Sequence, residues 1–302
     1  MAPRALGELL ASATESPDGT PLVAGRFDGD HILVPLLTRE VPALTDQLKV
    51  ATALARATGA SVTVVNPIAA PERVSSEYRR ETADTGDTAL LEWAFEHTEE
   101  SLPQVNGDFV DTRNVVRGVL RAVRRRDVDT LVVPGKSTSS LHKGVTEQLA
   151  AHADADVVVV NGQAGLEKTA SILLPVADGA HSGLAADVAS SIAEDRDAWI
   201  DVLHVVDETT PEQQRTRADE LVEDIYRRID RPETTTKWVL EAADATEAII
   251  EQSRYYGLTI IGAPTKGRLR EFMFGSTNAS VRANADSVVL SVRSNAPRSG
   301  AD

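Results

Sequence analysis

The chain repeats itself. Ile32-Leu33-Val34-Pro35-Leu36 recurs as Ile172-Leu173-Leu174-Pro175-Val176, 140 residues further on. At the same offset Leu44 and Leu48 fall on Leu184 and Val188, and the strand-like Ser61 to Val65 falls on Asp201 to Val205. Later, Leu131-Val132-Val133-Pro134 matches Thr259-Ile260-Ile261-Gly262, and Ala153-Asp154 before a valine run matches Ala285-Asp286 before another. A tandem duplication confines the chain to two similar units, each burying its own core. Its 302 residues divide into halves of ordinary domain size.

Each half alternates short β-branched runs with helical patterns, the signature of βαβ units around a parallel sheet. Strands are expected at 32–36, 61–65, 109–112 (weak), 130–133 and 156–160, then at 171–176, 200–206, 235–240, 258–261 and 287–292. The run Val157 to Val160 carries no polar alternation, so it is buried on both faces. Between the strands, Val116, Val119, Leu120 and Val123 keep a 3.6-residue period, as do Leu221, Val222, Ile225 and Ile229. The fold class is therefore α/β, two doubly wound five-stranded parallel sheets in tandem, with ligands bound beyond the carboxyl ends of the strands. The expected organisation is an N-terminal extension over 1–30, one domain over 31–163, a short linker at 161–169 and a second domain over 170–296.

Charge narrows the function. With 31 Lys plus Arg against 46 Asp plus Glu, the net charge of -15 repels nucleic acid and anionic lipid at long range. Few of the basic residues are lysines, a balance expected of a protein kept soluble in high salt, as in a halophile. Without cysteine there are no disulfides, no thiolate metal site and no thiol nucleophile. No apolar run approaches a membrane span, and 1–30 lacks a signal-peptide core, so a cytoplasmic chain is expected.

The stretch most able to carry chemistry leaves the buried strand ending at Ile261. It reads Gly262-Ala-Pro-Thr265-Lys-Gly267-Arg-Leu-Arg-Glu-Phe-Met-Phe-Gly275-Ser276-Thr277 and enters a helical pattern. Glycines let backbone approach a polyphosphate, and a helix start with Ser276 and Thr277 hydroxyls offers donors to its oxygens. Lys266, Arg268 and Arg270 gather positive charge there. The plainer alternative is a tight strand exit and helix cap with solvated basic residues. In the first half the corresponding interval is four residues shorter, 18 from Pro134 to His152 against 22 from Gly262 to Asn284, which leaves little room for a triphosphate. Its Gly135-Lys136-Ser137 lacks the upstream glycine of a P-loop, since Thr130 stands there.

These features make the chain similar to the universal stress protein family over both halves. That family carries Gly-x2-Gly-x9-Gly-Ser/Thr after its fourth strand. Aligned on Gly275-Ser276, its first glycine falls on Gly262 and its second on Thr265, with Gly267 nearby. The Gly-Arg-Leu-Arg stretch before Phe-Gly-Ser resembles the archaeal branch also found as soluble tails of amino-acid permeases and antiporters. The resemblance implies a Rossmann-like, adenine nucleotide alpha hydrolase-like fold with strand order 3-2-1-4-5. It further implies ATP or another adenine nucleotide, with Mg, as ligand of the second domain. The lining would be Pro175, Val176, Asp178, Val205, Ile261, Gly262, Thr265, Gly267, Gly275, Ser276 and Thr277. Where the family has Asp after its first strand this chain has Ala177, with Asp178 one residue late.

Other chemistry finds little support. The six histidines show no pair at metal-ligand spacing, and no Gly-x-Ser-x-Gly occurs. No general base or nucleophile stands near the loop, so a non-catalytic binding protein is expected, with hydrolysis at most slow and incidental. The apolar last strand of each half needs a partner; in the resembled family that edge makes the dimer, so the resemblance implies an intramolecular pseudo-dimer of the two domains, or a homodimer. Two functions remain open. One is a stress or signalling protein that binds an adenine nucleotide. The other is a nucleotide-free regulatory module acting on a partner such as a membrane transporter.

Overall fold

The computed structural model describes residues 27, 29–68, 85–99, 102, 104–135, 144–162, 165–166, 169–263 and 288–295. The first half runs β1 (His31–Pro35), α1 (Val41–Thr58), β2 (Ser61–Ile68), α2 (Thr85–Glu99), β3 (Val105–Asp111), α3 (Val115–Arg125), β4 (Thr130–Pro134), α4 (Val145–His152) and β5 (Asp156–Asn161). The second runs β6 (Ser171–Pro175), α5 (Ala180–Arg196), β7 (Trp199–Val206), α6 (Glu212–Ile229), β8 (Thr235–Glu241), α7 (Ala245–Ser253), β9 (Leu258–Gly262) and β10 (Val288–Arg293). All ten expected strands are present, within a few residues of their expected ends. The weakest, β3, is the longest extension of its expected range.

The strands do not form two separate sheets. They make one sheet of order β3-β2-β1-β4-β5-β10-β9-β6-β7-β8. Pairing is parallel within each half, in the order 3-2-1-4-5, and β5 meets β10 antiparallel. Each half's apolar last strand is thereby the other's partner, as an exposed edge of that composition requires. The registers reveal a local twofold. Asp156 lies beside Thr130 as Val288 lies beside Leu258, which makes Val159 and Ser291 repeat equivalents; these two face each other in the β5–β10 ladder.

Helices α1 and α5 pack on each other over this seam. Their contact carries the Arg56–Asp195 ion pair at 2.7 Å. One core cluster joins Leu44, Leu48 and Leu54 of α1 to Leu184, Val188 and Ile192 of α5, and each fully buried aliphatic stabilises by about 1.5–3 kcal/mol. The expected linker is part of this packing. Leu166 is fully buried, and the N–H groups of Gly165 and Leu166 donate to the buried Asp46 carboxylate at 3.1 and 3.2 Å.

The structure corrects the alignment of the repeats. His31 pairs with Ser61 and Ser171 with Trp199, so β2 and β7 correspond at an offset of 138, not 140. The helix ends agree. Left-handed Gly59 and Asp197 each donate to the carbonyl four residues back, Ala55 and Ala193. The two residues are lost between the end of β6 and the middle of α5. Leu48 therefore corresponds to Ala186, and Val50 to Val188.

Candidate functional site

In both halves the strands that flank the chain reversal part company. β1 pairs with β4 only through Ile32–Thr130 and Leu33–Leu131, and β6 with β9 only through Ile172–Leu258 and Leu173–Thr259. Beyond these pairs the carboxyl ends diverge, opening the crevice in which open α/β sheets hold ligands. The backbone thus offers the same divergence twice, and the two halves place different side chains at it.

In the first half it is filled. Gln47, fully buried on α1, reaches between the diverging strands, and its amide donates to Pro35 O at 3.0 Å and Val132 O at 2.9 Å. Two carbonyls that the parallel ladder leaves behind are so satisfied. From the loop side Leu37, 3% exposed, packs into the core on the opposite sheet face with Leu33, Val65 and Val133.

The second half holds neither plug. At the corrected offset Gln47 corresponds to Ala185, and Leu37, at the β1 and β6 offset of 140, to Ala177. Ala185 is fully buried in the core cluster that also holds Leu174 and Ile260, while Ala177, Asp178, Gly179 and Ala180 form an exposed rim before α5. Gly179 takes φ 118 and ψ 168, a backbone closed to L side chains, with nothing within 4 Å of where a Cβ would stand. His204 and Val205, at the end of β7, are half-buried beside this rim.

The rim is pinned from inside. Val176 N donates to Leu203 O at 2.8 Å, His204 Nδ1 donates to Val176 O at 2.7 Å, and Ala177 N donates to Ser182 Oγ at 3.0 Å. Across the crevice, Ala263 N donates to Val292 O at 2.7 Å. Gly262 has a tighter reason for lacking a side chain than loop flexibility. A Cβ there would stand 3.0 Å from His181 Cβ and 3.2 Å from its carbonyl carbon, so the glycine lets the first turn of α5 close onto β9. His181 in turn accepts from Ser294 N at 3.1 Å.

Of the residues expected to line the site, Pro175, Val176, Asp178, Val205, Ile261 and Gly262 converge on this end of the second half. Thr265, Gly267, Gly275, Ser276 and Thr277 lie outside the described residues. Sequence reasoning missed Gln47, Ala185, His204 and Ser182. Gln47 had a visible signal: Asp46-Gln47 interrupts an otherwise apolar helix face between Leu44 and Leu48. Among the described residues no group of three or more His, Asp or Glu could hold a metal ion, and no helix is long and apolar enough to cross a membrane.

Comparison with known proteins agrees with this fold. Residues 169–293 match the model of the universal stress protein family. No curated protein is significantly similar to the chain. Among solved structures, a universal stress protein from Archaeoglobus fulgidus is similar over 87% of this chain and 96% of its own, with TM-score 0.54 and 14% identity. The cytoplasmic domain of a prokaryotic cation chloride cotransporter is similar over 87% of this chain and 94% of its own, with TM-score 0.59 and 15% identity. A Pseudomonas aeruginosa structure described as a universal stress protein covers 88% of this chain and 94% of its own, with TM-score 0.57 and 18% identity. At these identities the likeness is one of fold, and it extends over both halves. Residues 169–293 of the second half are thus similar to the universal stress protein family, and the first half repeats the fold of that segment.

Proposed function

We propose that the second half binds ATP or a related adenine nucleotide in the crevice between β6 and β9, and that the first half serves as its packing and regulatory partner. The observation that carries this reading is the exchange of Gln47 for Ala185 at equivalent places: one crevice is closed by a buried amide, the other is left with a methyl group. The half-buried Val205 and the exposed Ala177–Ala180 rim give a base and sugar somewhere to rest. The Gly262 to Thr277 stretch, with Mg as counter-ion, supplies the phosphate end. The reading assigns no catalytic residue. Function lies in the conformation that binding imposes on a partner, in the cytoplasm.

Thermal melts with ATP, ADP and AMP in molar KCl test it. A nucleotide at 100 times its Kd adds about 2.7 kcal/mol to stability, and a bulky residue in place of Gly275 removes that shift. A wild-type protein whose melting is indifferent to all three overturns the reading. A second reading, a nucleotide-free module acting on a transporter or another partner, is favoured by one observation. The amides of Val176, Ala177 and Ala263 at the crevice edge are already bonded within the chain. That module would show no nucleotide shift at all.

A further inference from the structure

We infer that His204 is a positioning residue that holds the base-side rim of the second crevice, and so sets its affinity for the nucleoside part of a ligand. The inference rests on the nucleotide reading above and deepens it. β6 and β7 pair in register as far as Pro175–Leu203. One residue further, the backbone of Val176 is held on both sides by consecutive residues of β7, its N–H by Leu203 O at 2.8 Å and its carbonyl by His204 Nδ1 at 2.7 Å. Because a carbonyl can only accept, Nδ1 carries the proton in this bond, and the ring orientation is fixed. The clamp lies directly before the exposed Ala177–Ala180 rim, whose first amide is itself tied to Ser182 Oγ. The rim is thus anchored at its root by a side chain and at its first residue by α5.

The first half shows that the side-chain clamp is not a requirement of the fold. There the backbone bond is kept, Leu36 N to Val65 O at 2.9 Å. The residue equivalent to His204 is Asn66, and its amide turns the other way, to Asp87 O on α2 at 3.1 Å. The loop that follows is held by apolar burial of Leu36 and Leu37. Where Gln47 and Leu37 pack, the loop is buried. Where Ala185 and Ala177 stand at those places, the rim is hydrogen-bonded at its root and exposed. Preorganising a loop in this way improves binding by reducing the ordering cost at association.

The test compares ATP with inorganic tripolyphosphate on the full chain in molar KCl, for wild type, His204→Ala and His204→Asn. His204→Ala should bind ATP about tenfold more weakly, the loss expected of one hydrogen bond, while its tripolyphosphate affinity stays unchanged. His204→Asn, which can present an N–H near the place of Nδ1, should recover most of the ATP affinity. Equal weakening of both ligands in His204→Ala marks a general structural defect and overturns the inference, as does unchanged ATP binding. A wild type that binds neither ligand defeats the nucleotide reading itself and this inference with it; one that binds tripolyphosphate but not ATP defeats the base-side assignment.

Discussion

The two halves share a backbone and differ in what fills it. Both open the same divergence beside the chain reversal, β1 from β4 and β6 from β9, after two residue pairs. In the first, Gln47 and Leu37 occupy the space from the helix side and the loop side; in the second, Ala185 and Ala177 stand at those places. The comparison teaches that a duplicated fold keeps the same strand divergence while particular side chains change what packs there. The seam where the halves meet is centred on Val159 and Ser291.

The comparison can be broken most severely at the helix pair beside the second crevice. Asp187 on α5 accepts two bonds from Arg228 on α6, at 2.7 and 2.6 Å, and a third from Phe27 N at 2.8 Å, with both side chains 11% exposed. Its repeat equivalent is Lys49, so this tie is private to the second half. Asp187→Ala leaves a nearly buried guanidinium without its carboxylate and should cost about 3 kcal/mol in denaturant unfolding. A loss under 1 kcal/mol would mean that apolar packing alone holds the second half.

Next in size is the plug. Gln47→Ala removes the donors to Pro35 O and Val132 O and leaves a void, so about 2–3 kcal/mol of stability should go. A neutral Gln47→Ala would show that the first crevice relaxes closed without its plug, and the contrast between halves would then rest on Leu37.

The smallest effect separates the halves by pH. Thr63 of β2 bonds His31 Nε2 at 2.8 Å, whereas its equivalent, Asp201 of β7, accepts from Tyr256 Oη at 2.6 Å and from Thr236. Burial first, and then the Asp201 bond and charge, push the Tyr256 phenol well above its usual range. The unfolded chain therefore releases this proton near pH 10 while the folded one keeps it, and stability falls as pH rises past that point. Melting temperature followed from pH 9 to 11 should decline less steeply in Tyr256→Phe. Parallel declines would remove the tyrosine from the account.

Much of this was legible from the sequence. The β-branched runs located the central strands, because parallel strands buried on both faces leave no other composition available, whereas the edge strands β3 and β8 are partly exposed and carry a weaker signal. The apolarity of Val157–Val160 and 288–292 announced that these edges need a partner, and the ladder between them follows. The true correspondence of α1 with α5 was not legible. A two-residue loss between β6 and the middle of α5 leaves the apolar periodicity almost unchanged, so Leu48 matches Val188 as well by pattern as Ala186 does by structure. Gln47 stands out as a polar break in its helix face, but its counterpart was hidden for the same reason: only register identifies the partner of Gln47 as Ala185. The clamp was hidden because a histidine in a strand says nothing of the carbonyl it will meet, here Val176 O.

The account stands or falls on the openness of the second crevice, and transplanting the plug tests it directly. ATP binding is measured by calorimetry in molar KCl on wild type, Gln47→Ala and Ala185→Gln, with the melting temperature of each recorded alone. The account predicts one site in wild type, the same site in Gln47→Ala, and at least a tenfold loss of affinity in an Ala185→Gln protein that still melts cooperatively. An Ala185→Gln protein that folds and binds ATP as tightly as wild type would contradict it.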